Sequence, residues 1–244
     1  PPLYEELLFA ELEEDKPAPE VEFPFDGLID DEVVGGEGGT AVTLRRPRAV
    51  HWQEFAGDSQ SESVGRPNNG DLRHGKRLPK EGPGYIRKND KAPYGTDETV
   101  AILEWACSEM VRLYPGTVSV VVGNLSLEKG GRLKPHKSHR AGRDADLGYY
   151  FTDNGYVRRF IDATPETMDT EKTWTLVELL LSTHQVEYLF IDRSLQGPLY
   201  DEAVRRGWTD EDLAELFEAP LGARPKRGVI RHSRGHRHHL HVRF

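Results

Sequence analysis

The chain has 244 residues, of which 36% are hydrophobic and 30% are charged. That length suits one medium domain with an appendage or two small domains, with enough apolar residues for a packed core under a very polar surface. No apolar run approaches the roughly 18–20 residues that cross a bilayer, and the lone cysteine, Cys107, excludes an internal disulfide framework and any multi-cysteine zinc cluster.

The net charge of −9 is unevenly spread: residues 1–40 hold thirteen acidic residues against one lysine, Lys16, for −12, which leaves the rest at about +3. The acidity therefore belongs to a leader, while the remainder is near neutral and shows no basic stripe that would track nucleic acid. The first residue is Pro1 rather than Met, which suggests a processed or truncated product. Residues 1–60 read as an acidic leader or linker rich in Pro and Gly, with "ELEEDKPAPEVEFPF" and "GGEGG" unable to bury enough apolar surface to offset chain entropy. Within it, "TAVTLRRPRAVHW" has the pattern of a short strand that can dock on the rest.

The ordered domain is expected over residues 61–244. Residues 63–95 are rich in Gly, Pro and Asn and read as loops with short strands. Thr96 is a candidate N-cap, with Asp97 and Glu98 in the first turn of a helix whose apolar face carries Val100, Leu103, Cys107, Met110, Val111 and Tyr114. Cys107, on that face, is expected to be buried and inert. "TVSVVVGNL" and "ADLGYYF" read as strands. A second helix carries Trp174, Val177, Leu180 and Leu181 and leads into a strand over Val186–Asp192. Two short helices follow, "PLYDEAVRRG" closed by Gly207 and "TDEDLAELF" opened by Thr209, before the tail "HHLHVRF". The irregular alternation of elements predicts an α+β domain, a small antiparallel sheet with flanking helices, and no phosphate-cradling glycine motif is present.

Seven of the ten histidines fall in two short stretches: His136 and His139 in "PHKSHRAGRDAD", then His232, His236, His238, His239 and His241 near the end. As a strand, "HLHVRF" places His239, His241 and Arg243 on one face and Leu240, Val242 and Phe244 on the other. The apolar face can pack on a core while the histidines line a cleft. If "DADLG" is also a strand, Asp144 and Asp146 share a face and Ala145 and Leu147 point inward. His139, Asp146 and His241 would then supply a His-Asp-His metal set with a fourth position open, the pattern of a catalytic zinc site. Without sulfur in the set, zinc is the best assignment, although imidazole plus carboxylate also suits other divalent ions. Arg143 and Arg243 flank this region, either to hold a substrate carboxylate or as solvated or salt-bridged arginines. His184 reads as structural, His51 and His74 as exposed, and His232 and His238 as neighbours of the site.

These residues resemble a known family. The His-x6-Asp stretch paired with a late His-x-His is similar to the LAS-type zinc metallopeptidases, which share the Hedgehog/D-Ala-D-Ala peptidase-like fold. Within them, "PHKSHRAGRDAD" and "GHRHHLHVRF" resemble the penicillin-insensitive murein endopeptidases, whose pattern His-x-x-His-x-x-Gly-x-Asp-x-Asp then His-x-x-His-x-His-Val-Arg is met by His136, His139, Gly142, Asp144 and Asp146, and by His236, His239, His241, Val242 and Arg243. The segment Ser63–Tyr85 also resembles that group's N-terminal part, so the resemblance spans about residues 61–244. A departure from the disulfide-bearing members is the single cysteine, which bears on how loops are pinned.

The resemblance implies a zinc peptidase domain that ligates Zn2+ through His139, Asp146 and His241 and acts on peptidoglycan peptides in the periplasm or outside the cell. Zinc lowers the pKa of a bound water towards about 7, and a base must stand beside that water. The His-Glu-x-x-His arrangement is absent, and His239, two residues from a ligand on one strand face, is the best candidate for the base. His236 and His136 are then catalytic candidates that orient substrate or support an accessory metal. Asp144 either fixes a histidine tautomer or is a surface or loop-bonding carboxylate. The implied activity is hydrolysis of D-alanyl–diaminopimelate cross-links. The alternatives are a D,D-carboxypeptidase or dipeptidase of the same fold, and a zinc- or cell-wall-binding module without activity, against which the presence of His239 beside all three ligands argues.

Overall fold

The computed structural model describes residues 59–155, 158–218 and 228–244. The acidic leader, with its "TAVTLRRPRAVHW" segment and His51, lies outside the described residues apart from Ser59 and Gln60. The Gly/Pro-rich stretch folds as six short strands. β1 (Glu62–Arg66) and β2 (Asn69–Arg73) pair as an antiparallel hairpin, and β3 (Lys76–Arg77), β4 (Glu81–Gly82), β5 (Tyr85–Arg87) and β6 (Tyr94–Gly95) follow. Helix α1 (Asp97–Leu113) starts where its cap predicts, with the Thr96 side chain accepting from Thr99 N. Its buried face includes Val100, Leu103, Cys107 and Met110, whereas Val111, expected on that face, is 37% exposed. Burial pushes the Cys107 thiol up to about 12, so it stays protonated at neutral pH.

Strand β7 (Val120–Val122) and strand β8 (Asp144–Leu147) are shorter than the apolar runs that announce them. Helix α2 (Thr170–Leu181) is capped by Asp169 and leads to β9 (Tyr188–Ile191). Helix α3 spans Arg193–Arg205 with Asp192 as its cap, so Pro198 lies inside the helix rather than opening it. The sequence reading starts this helix too late because proline favours the first helical position. Helix α4 (Asp210–Leu216) has a full capping box between Thr209 and Asp212. β10 (Ile230–His232) and β11 (Leu240–Arg243) complete the chain.

The α+β class is as expected. The main sheet has seven strands in the order β10-β9-β11-β8-β7-β5-β4. Its centre, β9-β11-β8-β7, is antiparallel, but β10 pairs with β9 and β5 with β7 in parallel. The expectation of an antiparallel sheet is corrected to a mixed one, since α1 carries the chain from β5 to β7 and α3 with α4 carry it from β9 to β10. Such helical crossovers are what parallel neighbours require.

Alternation along the strands divides the sheet by face. Val120, Val122, Ala145, Leu147, Leu189, Ile191, Leu240 and Val242 join residues of all four helices in one core. The other face carries Asp144, Asp146, Phe190, His241 and Arg243. Deep in the helical layer, Trp174 lies edge-on to Trp208 and stacked with Phe217. The buried Glu178 carboxylate accepts from Trp208 Nε1 at 2.8 Å and Arg206 Nη1 at 2.7 Å. Those donors satisfy a charge that would otherwise be costly to bury.

The start of the described chain is fastened to α1. Asp97 Oδ2 accepts from Gln60 N and Ser61 N at 2.9 Å each, and Asp97 N donates to Ser61 Oγ at 2.7 Å. Partial burial raises the Asp97 pKa, but the hydrogen bonds from Ser61 and Gln60 outweigh it and hold the carboxyl below its ordinary 3.8. With the folded pKa the lower one, this contribution is present above the ordinary value and is lost as pH falls through the folded value. Asp97→Asn should therefore be less stable than the parent in urea unfolding at about pH 7, with the difference shrinking at about pH 3. An equal difference at both values would refute the linkage.

Candidate metal centre and active site

The pairing of β8 with β11 builds the site. Their register places His241 opposite Asp146 and Arg243 opposite Asp144, so four polar side chains from two distant stretches meet on one face. Asp144 and Asp146 are 0% and 2% exposed.

Asp144 is the structural anchor. Its Oδ1 accepts from His241 Nε2 at 2.8 Å and Arg243 Nε at 3.0 Å, and its Oδ2 from His139 N at 2.8 Å. Burial would raise its pKa, but the hydrogen bond and charge of His241, with Arg243 behind it, hold it well below the ordinary carboxylate range. Of the two sequence readings of Asp144, tautomer-fixing partner or surface carboxylate, the surface one is excluded. His139 has a left-handed backbone, φ 64°, uncommon for a residue with a side chain, and this aims its N–H at Asp144.

Around Asp146, three imidazole nitrogens converge on one oxygen. His139 Nε2 lies 3.1 Å, His241 Nδ1 3.3 Å and His239 Nε2 3.5 Å from Oδ1. For zinc bonds of about 2.0–2.1 Å, the edge of a donor tetrahedron is about 3.3 Å, so the spacing suits donors that share a metal. His139 Nε2 and Asp146 Oδ1 are buried without a hydrogen-bond partner, which buried polar atoms rarely tolerate. The other nitrogens are engaged: His139 Nδ1 donates to Leu125 O at 2.6 Å, and His241 Nε2 to Asp144. Both rings thus turn their remaining nitrogen towards Asp146, the way outer partners orient metal-binding histidines. Burial lowers the His241 pKa, but the hydrogen bond to Asp144 and the negative charge of the adjoining Asp146 carboxylate override it and raise the group to about 9, a proton that a metal must displace to bind. The same forces, led by His139 against burial, hold Asp146 well below the ordinary range.

His136 completes a second grouping. One ligand atom each of His136, His139 and Asp146 lie within 4.8 Å of one another, a set that can hold a metal ion. The His136 Nε2 accepts from Asn124 Nδ2 at 2.9 Å, and its ring lies 4.6 Å from that of His139. His236 donates through Nδ1 to Ser233 O at 3.1 Å, with its ring 4.8 Å from that of His239 and 5.8 Å from that of His241. Burial and neighbouring histidines lower His136 to about 4 and His236 to about 3, so both are neutral at neutral pH.

All six expected site residues, His136, His139, Asp146, His236, His239 and His241, therefore meet in one cluster. A family-level comparison now carries weight. The model of the penicillin-insensitive murein endopeptidases matches residues 63–244. The chain belongs to this family. No curated protein matches the chain, so the assignment rests on the family match together with the site.

As a member of a murein endopeptidase family, the chain is a peptidase with peptidoglycan as its substrate, and no helix among the described residues is long and apolar enough to cross a membrane. Both flanking arginines have carboxylate partners within the fold. Arg243 is buried and spent on Asp144, and Arg143 faces Glu187 at 3.7 Å. His232 is structural, its Nδ1 accepting from Arg193 N at 3.0 Å, and His74 and His184 are exposed. Sequence reading did not single out Asn124, Leu125, Phe160 or Phe190. Leu125 acts through its carbonyl, which no side-chain pattern signals, and the other three become neighbours of the histidines only through folding.

Asp144→Ala should lower the stability of the metal-free protein by about 3–5 kcal/mol, because it leaves a buried Arg243 without its counter-charge. Urea unfolding in the presence of chelator measures this, and a change under 1 kcal/mol, the range of an exposed pair, would refute the anchor.

Proposed function

We propose that this chain is a zinc-dependent D,D-endopeptidase that hydrolyses D-alanyl–diaminopimelate type cross-links of peptidoglycan, working in the periplasm or outside the cell. The observation that carries this reading is the convergence of His139 Nε2, His241 Nδ1 and His239 Nε2 on Asp146 Oδ1 in a chain of the murein endopeptidase family.

His139, Asp146 and His241 are the ligands. Their outward nitrogens are fixed by Leu125 O and Asp144, which leaves the inward ones as acceptors. His136 stands beside the set, with its Nε2 accepting from Asn124 Nδ2 and one of its ligand atoms within 4.8 Å of those of His139 and Asp146. The zinc ion supplies Lewis acidity towards the scissile carbonyl and makes a nucleophile available from water near neutral pH.

His239 is the general base. Its Nε2 faces the ligand cluster at 3.5 Å from Asp146 Oδ1, while its Nδ1 lies 2.6 Å from His238 Nδ1. One proton shared in that contact gives His239 a partner on the side away from the water, which frees Nε2 to take the proton of the attacking water and pass it to the leaving amine. His236 and His136, neutral beside the cleft, offer hydrogen bonds to the substrate peptide. Residues 1–60 are a linker outside the peptidase unit. Ser59 and Gln60 are the exception, since they bond to Asp97.

His241→Ala should lose bound zinc by elemental analysis and lose activity, whereas His239→Ala should keep zinc and fall about 10²–10⁴-fold in rate. In digests of cross-linked muropeptide dimers read by mass spectrometry, dimers should fall to monomers in the presence of penicillin, since no acyl-enzyme on serine is involved. A chelator should stop the cleavage and added zinc restore it. Release of a single D-alanine instead would make the enzyme a carboxypeptidase, and full zinc occupancy in His241→Ala would overturn the ligand set.

A chain beginning at Ser59 should stay folded and cleave dimers at the parental rate. Loss of the folding transition in that variant would place part of the leader in the core.

A further inference from the structure

Of the three histidines that face Asp146, His239 is the one whose second ring nitrogen is held by neither a backbone carbonyl nor a carboxylate. His139 and His241 each donate a ring N–H to a buried backbone carbonyl or carboxylate. His239 Nδ1 instead meets another histidine, His238, itself only half-buried on the loop before β11. One hydrogen bond to a half-buried ring fixes the position of Nδ1 but not the tilt of the imidazole, which depends on the rings packed against it.

The ring that lies against it is Phe160. It stacks on His239 with centroids 4.9 Å apart and planes 10° from parallel, and on His238 at 5.7 Å and 12°. His238 and His239 themselves stack at 4.6 Å and 20°. Three nearly parallel rings thus form one block. The loops that carry them are tied together by Ala163 N donating to Arg237 O at 2.9 Å.

The phenyl ring reaches this place through a gap in the backbone. A Cβ on Gly123 would stand 2.6 Å from Phe160 Cζ and 3.0 Å from Asp146 Cβ, so only glycine lets the ring lie this close to the end of β7 and to Asp146. Lys88 Nζ sits 4.5 Å from the ring centroid, a cation–π contact that favours retention of an aromatic ring. Phe160 is half-buried and is not part of the hydrophobic core. Its apolar area is therefore spent on the histidines rather than on holding the domain together.

We infer that Phe160 is a positioning residue that fixes the plane of His239 so that Nε2 faces the metal ligands, an inference that rests on His239 being the base. Phe160 acts in this role only through His239. A misplacement of a catalytic group by about 1 Å can cost about 10²-fold in rate, which sets the scale of the expected effect.

The test compares Phe160→Ala, Phe160→Tyr, His239→Ala and the double variant Phe160→Ala/His239→Ala as zinc-loaded full-length protein. Phe160→Ala should keep its zinc and its thermal midpoint, leave KM near the parental value and lower kcat about 10–100-fold. Phe160→Tyr, which keeps the ring, should restore most of that loss. In the His239→Ala background, Phe160→Ala should change kcat less than twofold, since its target is gone. A parental kcat in Phe160→Ala, or an equal loss with and without His239, overturns the proposal.

A readout without substrate separates this from the functional reading. In 15N imidazole spectra, with His239 assigned by its absence in the His239→Ala protein, the parent should show one set of ring signals and Phe160→Ala an averaged or doubled set. Unchanged His239 signals would overturn the positioning role even if murein cleavage is confirmed. Altered signals in a protein that cleaves no cross-links would leave the positioning intact and refute the endopeptidase reading instead.

Discussion

A single buried carboxylate organises the functional face. Asp144 is 0% exposed, and taking such a charge out of water costs several kcal/mol unless it is paired and hydrogen-bonded. Its three donors come from the backbone of His139, the ring of His241 and the guanidinium of Arg243. Each bond does local work beyond offsetting the burial. The first holds His139 in its left-handed backbone, the second turns the His241 ring so that Nδ1 faces Asp146, and the third binds the neighbouring cation on β11. Residues 97 and 99 positions apart in sequence from Asp144 are thereby fixed to it.

The sheet supplies the rigidity that such a site needs. β8 is buried along its whole length, and so is β11. One side of these two strands sinks Ala145, Leu147, Leu240 and Val242 into the core, so the positions of the intervening Asp144, Asp146, His241 and Arg243 follow from core packing. Side chains set on central strands hold their geometry better than those on loops. The loop-borne histidines, His136, His236, His238 and His239, are arranged instead by ring contacts and single hydrogen bonds. The contrast is one of support, with Asp146 and His241 on strands, His139 tied to one, and the remaining histidines on the loops around them.

Electrostatics sort the histidines in the same way. Burial and mutual repulsion keep His136 and His236 neutral, whereas the two carboxylates raise His241 despite burial. A buried group near the carboxylates favours positive charge and so favours a cation in place of its proton. One a few ångströms further out does not. The acidic pair at the centre thus makes the location attractive to a divalent ion.

The local spacing in the sequence determined a good deal. Strand alternation assigns Asp144 with Asp146, and His241 with Arg243, to one face, because the side-chain period of a strand is two. The caps at Thr96 and Thr209 mark where α1 and α4 begin, because capping is chemistry between near neighbours. The concentration of histidines marks the site itself. Tertiary structure decided what each residue is committed to. Arg243 stood open between a substrate clamp and a salt-bridged arginine and is a buried partner of Asp144, and Asp144 itself stood undecided, because whether a carboxylate is solvated or buried depends on which strands enclose it. Phe160 and Asn124 carry no motif and join the site only through the packing of distant loops. The parallel pairs of the sheet depend on the paths of α1, α3 and α4 over its face. Spacing along a strand is fixed by covalent geometry, whereas partners across the fold are chosen by burial, and burial belongs to the whole chain.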